Sequence, residues 1–294
     1  MHIPVLLKET IEGLMLEKND FLVDATFGLG GHSKGAYQKE KSIKILGIDL
    51  NRETLEREAN FLKKEGCWIE IVVDNFKNID KILDNLGKDT PNKYIFDLGW
   101  SSEELEESQR GFSFLRNEPL LMTFKSDVLD EDLTAREIVN VWEEKNLEAI
   151  IRGFGEEQFS KKIAKAIVEG RKKRSIETTL DLVSIIAKVV PTWYKHKKTH
   201  FATKTFQAIR MATNDEVESL KVALEKSFNN LKKGGRIAVI TFHSIEDRIV
   251  KNFYKGFTKD GGRLVNKKPI TPTREEIKNN KRARSAKLRI IEKI

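Results

Sequence analysis

Two short apolar runs, separated by a glycine-rich turn, constrain the fold of this chain most strongly. The segments are FLVDATFGLGGH at 21–32 and ILGID at 45–49, and each apolar run ends in an aspartate. Short runs that are apolar throughout predict strands buried on both faces, as in a parallel sheet. Gly28 and Gly30 allow a tight turn, and the helical pattern that begins at His32 completes a strand–turn–helix–strand unit.

The alternation of strands and helices continues to about residue 98 and then breaks. Strands are predicted at 21–24, 43–48, 68–73 and 93–98, with helices at 32–40, 51–65 and 77–86. Helical signals dominate 115–200, before strands and a helix return at 235–242, 244–257, 262–265 and 287–291. This pattern predicts a doubly wound α/β domain, formed by 1–114 and 206–294, with an inserted helical domain at 115–205.

The turn and the second aspartate predict a site for an adenosine-containing cofactor. Asp49 follows Gly30 by nineteen residues, where a carboxylate can bind the two hydroxyls of a ribose. Ser33 stands where a dinucleotide-binding loop has a third small residue, and Asp24 would repel a pyrophosphate but attract an ammonium group. S-adenosylmethionine is therefore favoured, and a nicotinamide-dependent oxidoreductase is the alternative.

Further polar residues follow the other predicted strands. Asp97 and Ser101 come at the end of the fourth strand, so they are expected beside the cofactor, where Asp97 can orient an exocyclic amine. Phe76, after the third strand, is predicted either to stack on adenine or to pack on the core. His243, after the fifth strand, is a candidate proton relay. The alternative for this last segment is a helix cap by Ser244, with Asp247 three residues later.

Composition excludes several classes of protein and of site. No apolar stretch approaches the ~18 residues of a membrane span, and no secretory signal is visible, so a cytoplasmic location is expected. The single cysteine, Cys67, is expected in the core and excludes disulfides within the chain. The five histidines show no metal-ligand spacing, and no metal is expected.

The positive charge is concentrated at the C-terminus. Residues 263–294 carry eleven Lys or Arg against three Asp or Glu, which accounts for the whole net charge of +8. A second segment, WYKHKKTHFATKTFQAIR at 193–210, interleaves basic and aromatic residues and contains no acid. Both segments favour nucleic acid, since cations contact phosphates and rings stack on unpaired bases. For a third basic segment, 161–174, RNA binding and a solvated helix face are equally compatible with the pattern.

Long motifs along the chain resemble the bacterial family of small-subunit ribosomal RNA methyltransferases that act on cytosine N4 in the decoding centre. The matching segments include VDATFGLGGHS at 23–33, FDLGWSS at 96–102, TKTFQAIR at 203–210, GGRIAVITFHSIEDRIVK at 234–251 and RARSAKLR at 282–289. The resemblance implies a Rossmann-like class I methyltransferase sheet, S-adenosylmethionine as cofactor, and RNA contacts from the helical insertion. It implies ribosomal RNA or the assembled small subunit as partner, no membrane association, and a possible homodimer. The cofactor contacts that it implies are Gly30, Gly31, His32, Asp49, Phe76, Asp97 and, more weakly, Glu104.

Departures from the family pattern are concentrated in two segments. Trp100, Glu103 and Glu104 replace the Val, Pro and Gln of DLGVSSPQLD, and the Gln is a cofactor contact in the family. Leu121 and Thr123 replace the acid and the arginine of GPLDMRMD, so an ion pair is absent. These changes keep two alternatives open, a catalytically weakened RNA-binding homologue and a methyltransferase with another nucleic-acid or protein substrate.

Overall fold

The computed structural model describes residues 4–87, 89–99, 108–126 and 128–294. The chain divides into two compact units, one formed by 1–99 and 218–294 and the other by 100–217. The sequence-based division used the same two-part arrangement, with its boundaries after 114 and after 205. Of the described residues, 108–114 and 206–217 fall in the helical unit.

The sheet unit contains a seven-stranded sheet in the order β3-β2-β1-β4-β5-β7-β6. The first five strands pair in parallel, and only β7 runs antiparallel to its neighbours β5 and β6. This arrangement confirms the predicted α/β class with a Rossmann-like methyltransferase sheet. The strands are β1 (Phe21–Asp24), β2 (Lys44–Asp49), β3 (Trp68–Val73), β4 (Lys93–Asp97), β5 (Arg236–Thr241), β6 (Gly262–Leu264) and β7 (Lys287–Lys293).

The helices of the described chain alternate with the strands in the sheet unit and follow one another in the helical unit. They are α1 (Leu7–Leu14), α2 (Gly31–Lys39), α3 (Arg52–Lys64), α4 (Ile79–Leu86), α5 (Ala135–Val141), α6 (Glu144–Gly153), α7 (Ser160–Arg171), α8 (Thr179–Val189), α9 (Thr192–Lys195), α10 (Thr203–Thr213), α11 (Glu216–Asn229), α12 (Ser244–Phe257) and α13 (Arg274–Asn279). No helix among the described residues is long and apolar enough to cross a membrane.

The sheet is buried on both faces because its central strands are mostly apolar, with polar residues only at their ends. All four residues of β1 are buried, and alternate residues belong to different hydrophobic clusters: Leu22 to one and Phe21 and Val23 to the other. A parallel strand covered by helices on both sides has this composition. The carboxyl ends of β1, β2 and β4 are thereby held rigidly, and the candidate site lies there.

The C-terminal segment is part of the sheet unit and not a separate basic tail. Strand β7 pairs along its length with β5, and Leu288, Ile290 and Ile291 are fully or almost fully buried. Between α13 and β7, Ala283 is also buried, whereas Lys281 and Arg284 are exposed. The expectation that the whole segment binds RNA therefore fails for its inward-facing residues and stays a prediction for the exposed ones.

The helical unit has a core of its own. Its helices α5, α6, α7, α8 and α10 contribute to one hydrophobic cluster within 120–209. Thr134 caps α5, since its side chain accepts a hydrogen bond from the backbone N–H of Glu137. Helix α8 begins with a full capping box between Thr178 and Asp181. Capping of this kind fixes where each helix begins.

Candidate active site

Three aspartates end three neighbouring strands of the sheet. Asp24 ends β1, Asp49 ends β2 and Asp97 ends β4. Strand β1 lies between the other two, pairing in parallel with both, so the three carboxyl ends are adjacent. Open α/β sheets bind ligands at this edge.

The glycine turn after β1 is fixed by its backbone conformation and by Asp49. Gly28 and Gly30 have φ angles of 47° and 67°, in the left-handed region that favours glycine. The N–H of Gly28 donates to Oδ2 of Asp49 at 2.8 Å, and the N–H of Gly30 donates to the carbonyl of Phe27 at 2.7 Å. The turn leads directly into α2, whose first residue is Gly31, one residue earlier than predicted. The turn and the β2 aspartate thus form one hydrogen-bonded unit.

Asp49 is oriented on both of its oxygens. Besides the contact with Gly28, Oδ1 accepts from the N–H of Asn51 at 2.9 Å, and Asn51 in turn caps α3. The side chain is half-buried, and a carboxylate oxygen accepts hydrogen bonds from hydroxyls as well as from N–H groups. This geometry fits a ribose with two adjacent hydroxyls, as the spacing predicts.

Asp24 is buried and does not offer its oxygens to a ligand. Its Oδ2 accepts from the hydroxyl of Ser33 at 2.7 Å, and burial raises the pKa of the carboxyl to about 6. Ser33 occupies the position of the third small residue of a dinucleotide-binding loop, and its hydroxyl binds Asp24. The sequence signals this contact only as a mismatch in the motif. Asp24 can therefore influence a bound group through its charge, without direct contact.

Asp97 is held by hydrogen bonds with two loop residues, Gly99 and Thr26. Its Oδ1 accepts from the N–H of Gly99 at 3.0 Å, and its own N–H donates to Oγ1 of Thr26 at 2.7 Å. A Cβ at Gly99 would lie 2.6 Å from the ring of Phe242 and 2.9 Å from Oδ1 of Asp97, so this position requires glycine. The carboxylate is thus a fixed acceptor at the carboxyl end of β4.

The side chain of His32, in the first turn of α2, contacts protein at both ring nitrogens. Nε2 lies 3.2 Å from the carbonyl oxygen of Val5, and Nδ1 lies 3.4 Å from Oδ2 of Asp97. Burial lowers the pKa of the imidazole, against the opposing effects of the Asp24 charge and the hydrogen bond to Val5. A cofactor contact from His32 would therefore come from its backbone N–H, which has no intrahelical acceptor at the start of a helix.

Phe76 lies in a single turn of 3-10 helix after β3. Its ring packs edge-on against Phe96, with ring centroids 5.8 Å apart and an interplanar angle of 85°. The predicted packing of Phe76 on the core is therefore correct for the part of its ring that contacts Phe96. Because the side chain is only half-buried, stacking on adenine stays a prediction.

His243 occupies the cap position that the sequence analysis gave to Ser244. Its Nδ1 accepts from the backbone N–H of Glu246 at 3.3 Å, and a carboxylate oxygen of Glu246 accepts from the N–H of Phe242 at 2.8 Å. The cap by Ser244 is wrong because the first helical residue is Ser244 itself. The expected capping partner, Asp247, instead pairs with Arg289 at 2.7 Å. His243 thus has a structural role, and its function as a proton relay stays a prediction.

The Asp247 ion pair joins α12 to β7. Lys287 also contacts Asp247, with 3.0 Å between Nζ and Oδ2. Burial alone would raise the pKa of Asp247, but the hydrogen bonds from Arg289 and Lys287 outweigh it and hold the pKa below its usual value. Arg289 is 9% exposed. These two basic residues brace the sheet.

Four residues singled out in the sequence lie outside the described part of the chain. Two are the site candidates Ser101 and Glu104, and two are the family departures Trp100 and Glu103. The other departures are described: Thr123 is buried and Leu121 is half-buried. The helical unit therefore accommodates apolar or uncharged groups where the family pattern has an ion pair.

Most aromatic residues of 193–210 belong to the core of the helical unit. Tyr194 is buried and donates its hydroxyl to Glu157 at 2.6 Å, and Phe206 is 5% exposed. Arg210 makes two hydrogen bonds to Glu216, of 2.8 and 3.0 Å. Trp193 differs from these residues, since it is 56% exposed. The interleaved pattern thus reflects the apolar face of α9 and α10 more than a continuous nucleic-acid surface.

Helix α7, within 161–174, packs its apolar side against the core of the helical unit. Ile163, Ala164 and Ile167 are fully buried, so this side faces the core. Arg171 donates to the backbone carbonyls of Val139 and Trp142 and is structural. The exposed lysines on the opposite side are compatible with RNA binding and with a solvated helix face, so both interpretations stay open.

Comparison with known proteins identifies the family. The family model of the MraW methylase family matches residues 1–294. The chain belongs to the MraW methylase family. Two similar proteins, each named ribosomal RNA small subunit methyltransferase H, come from Caldicellulosiruptor saccharolyticus and Sulfurihydrogenibium sp.. The first is 45% identical, with 100% of this chain and 99% of the relative covered, and the second is 43% identical, with 98% of each covered.

One similar solved structure has a much lower sequence identity. An rRNA methylase from Streptococcus thermophilus covers 100% of this chain and 99% of its own, with 13% sequence identity and a TM-score of 0.48. The assignment accordingly rests on the sequence matches. Membership in the methylase family confirms the predicted resemblance, the enzyme class of methyltransferase and the predicted methyl donor, S-adenosylmethionine.

Proposed function

We propose that this methyltransferase transfers a methyl group from S-adenosylmethionine to N4 of a cytidine in the decoding centre of small-subunit ribosomal RNA. The names of its relatives support small-subunit ribosomal RNA as the substrate class. The cytidine and the N4 position rest on the motif resemblance and on the chemistry of the sheet edge. The observation that carries the proposal is the placement of two oriented carboxylates, Asp49 and Asp97, beside one glycine turn.

The cofactor half of the site is assigned to β1, β2 and their turn. Asp49 binds the ribose hydroxyls, and the backbone N–H groups of Gly31 and His32, at the start of α2, face the carboxylate end of the donor, with Gly30 shaping the turn that leads to them. Phe76 offers the exposed part of its ring to the adenine. When bound, S-adenosylmethionine supplies a methyl group on a sulfonium, whose sulfur keeps the electron pair of the broken carbon–sulfur bond.

Asp97 is assigned to the methyl acceptor. Cytosine N4 is a weak nucleophile because its lone pair is delocalised into the ring. A hydrogen bond from the amine to Asp97 orients that lone pair, and the carboxylate accepts the proton that N4 loses as its bond to carbon forms. The base must also leave its stack to reach the site. Ser101 and His243 are assigned supporting roles in this proton transfer.

The RNA contacts are assigned to exposed cations in each unit. In the helical unit, Trp193 is exposed and Nζ of Lys197 lies 4.9 Å from the centre of its ring, within a run of exposed residues. An exposed aromatic ring beside a lysine suits an unpaired base and its phosphate. In the sheet unit, Lys281 and Arg284 are exposed and available to phosphates.

The experiment that tests the proposal is mass spectrometry of ribosomal RNA nucleosides after incubation with the enzyme and a labelled methyl donor. Free small-subunit RNA and assembled subunits are supplied in parallel, because either is a possible substrate. We expect N4-methylcytidine in small-subunit RNA from at least one of the two. Label in another nucleoside or macromolecule would favour a different substrate. Tight RNA binding without label would favour a catalytically weakened homologue, which the absent ion pair at Leu121 and Thr123 motivates.

A further inference from the structure

The imidazole of His32 has a defined tautomer because of Val5. Nε2 lies 3.2 Å from the Val5 carbonyl oxygen, and a carbonyl oxygen can only accept a hydrogen bond. Nε2 therefore carries a hydrogen in every protonation state that preserves this contact. In the neutral ring, Nδ1 then presents a lone pair.

That lone pair is directed at Asp97. Nδ1 and Oδ2 of Asp97 are 3.4 Å apart, and the side chains are 6% and 17% exposed. A lone pair on nitrogen facing an ionised carboxylate is repulsive, and a proton on either atom converts the contact into a hydrogen bond. The charged groups that act on His32 in the described chain are Asp24, from β1, and Asp97, from β4.

We infer that His32 is a positioning residue that makes Asp97 a stronger base and stabilises the proton that Asp97 accepts from the methyl acceptor. The inference rests on the proposed role of Asp97. In the resting site, the Nδ1 lone pair disfavours the ionised carboxylate. As N4 bonds to the methyl carbon and loses a proton to Asp97, that repulsion becomes a hydrogen bond between Oδ2 and Nδ1. The side chain of His32 thus acts through Asp97, while any cofactor contact uses its backbone.

Two substitutions separate this role from a structural one. His32→Gln places an amide near the position of Nε2, so it preserves a donor to Val5 and removes the Nδ1 lone pair. His32→Asn places an amide near the position of Nδ1 and loses the contact with Val5. A structural role through Val5 would leave the Gln variant near wild type and damage only the Asn variant. The inference requires that both variants lose turnover.

The kinetic measurement is turnover with both substrates saturating, across pH 5 to 9, with cofactor affinity measured separately by calorimetry. For His32→Gln we expect turnover to fall about tenfold, the acid limb of the pH profile to move to lower pH, and the dissociation constant of S-adenosylhomocysteine to stay within about twofold. Wild-type turnover with an unmoved acid limb would overturn the inference. Weaker cofactor binding with normal turnover at saturating substrates would also overturn the inference, since the side chain of His32 would then be a cofactor contact.

A second readout needs neither RNA nor methyl transfer. Nitrogen-15 NMR of the labelled, ligand-free protein reports the tautomer and titration of His32, and Asp97→Asn should shift both the Nδ1 signal and its midpoint. Burial raises the pKa of Asp24 to about 6. The His32 signals of the Asp97→Asn variant should therefore still show one titration step, caused by the Asp24 carboxyl. An identical His32 titration in wild type and Asp97→Asn would overturn the pairing. If the NMR coupling is present but wild-type enzyme methylates no RNA, the proposed function fails while the pairing stands.

Discussion

Asp49 links the glycine turn to the cofactor, so its substitution tests the cofactor half of the site. Asp49→Ala removes the acceptor for two backbone N–H groups, those of Gly28 and Asn51, and for the ribose hydroxyls. Hydrogen bonds to a charged acceptor contribute about 1.5–3 kcal/mol each. Loss of one such contact with ribose raises the dissociation constant roughly 10- to 150-fold.

The assay is calorimetric titration with S-adenosylhomocysteine, alongside urea unfolding of the ligand-free protein. Asp49→Asn keeps one acceptor oxygen and should lose less stability than Asp49→Ala, while still weakening the ligand. Asp84→Asn is the matched control, because Asp84 is an exposed acid on α4 of the same unit. An unchanged dissociation constant in a folded Asp49→Ala protein would show that the ribose site lies elsewhere.

Three further predictions concern stability and RNA binding. Asp247→Asn should lower the free energy of unfolding by about 3 kcal/mol at pH 7, the lower end for breaking a buried pair. Because the pKa of Asp247 is lowered in the folded protein, this contribution is present above pH ~4 and is lost as the pH falls through the folded pKa. The urea midpoints of variant and wild type should therefore converge in acid. The double variant Lys281→Ala, Arg284→Ala should flatten the salt dependence of RNA affinity by about 0.7 log units per lost phosphate contact. In contrast, Arg289→Met should chiefly lower stability. An unchanged salt slope in the double variant would mean that the two exposed cations are only solvated. Trp193→Ala should weaken binding of single-stranded RNA by about 1–3 kcal/mol without changing cofactor affinity, and equal RNA affinity would remove Trp193 from the interface.

The sheet could be predicted well from the sequence because its signals are local. Strand β3 and helix α12 match their predicted bounds, and β1 matches as well, since each is an uninterrupted pattern between clear turn signals. The three strand-end aspartates also followed, because parallel strands must bring their carboxyl ends to one edge.

The contacts that orient the site could not be predicted in this way. The pair between Asp247 and Arg289 joins residues 42 positions apart, and the contact between His32 and Asp97 joins two strand–helix units. Neither leaves a periodic signal. The same limit applies to 193–210: its alternating basic and aromatic residues predict a surface, but burial of Tyr194 and Phe206 depends on packing within the helical unit.

Substitution of Asp97, assayed with both substrates saturating, shows whether this carboxylate orients and deprotonates the methyl acceptor. Asp97→Asn keeps the size of the side chain and one acceptor oxygen, but removes the charge. The rate of methyl transfer to small-subunit ribosomal RNA should fall at least tenfold, about 1.4 kcal/mol in the barrier, with a smaller change in RNA affinity. Wild-type transfer by a folded Asp97→Asn enzyme would show that the charge of Asp97 is not needed for methyl transfer.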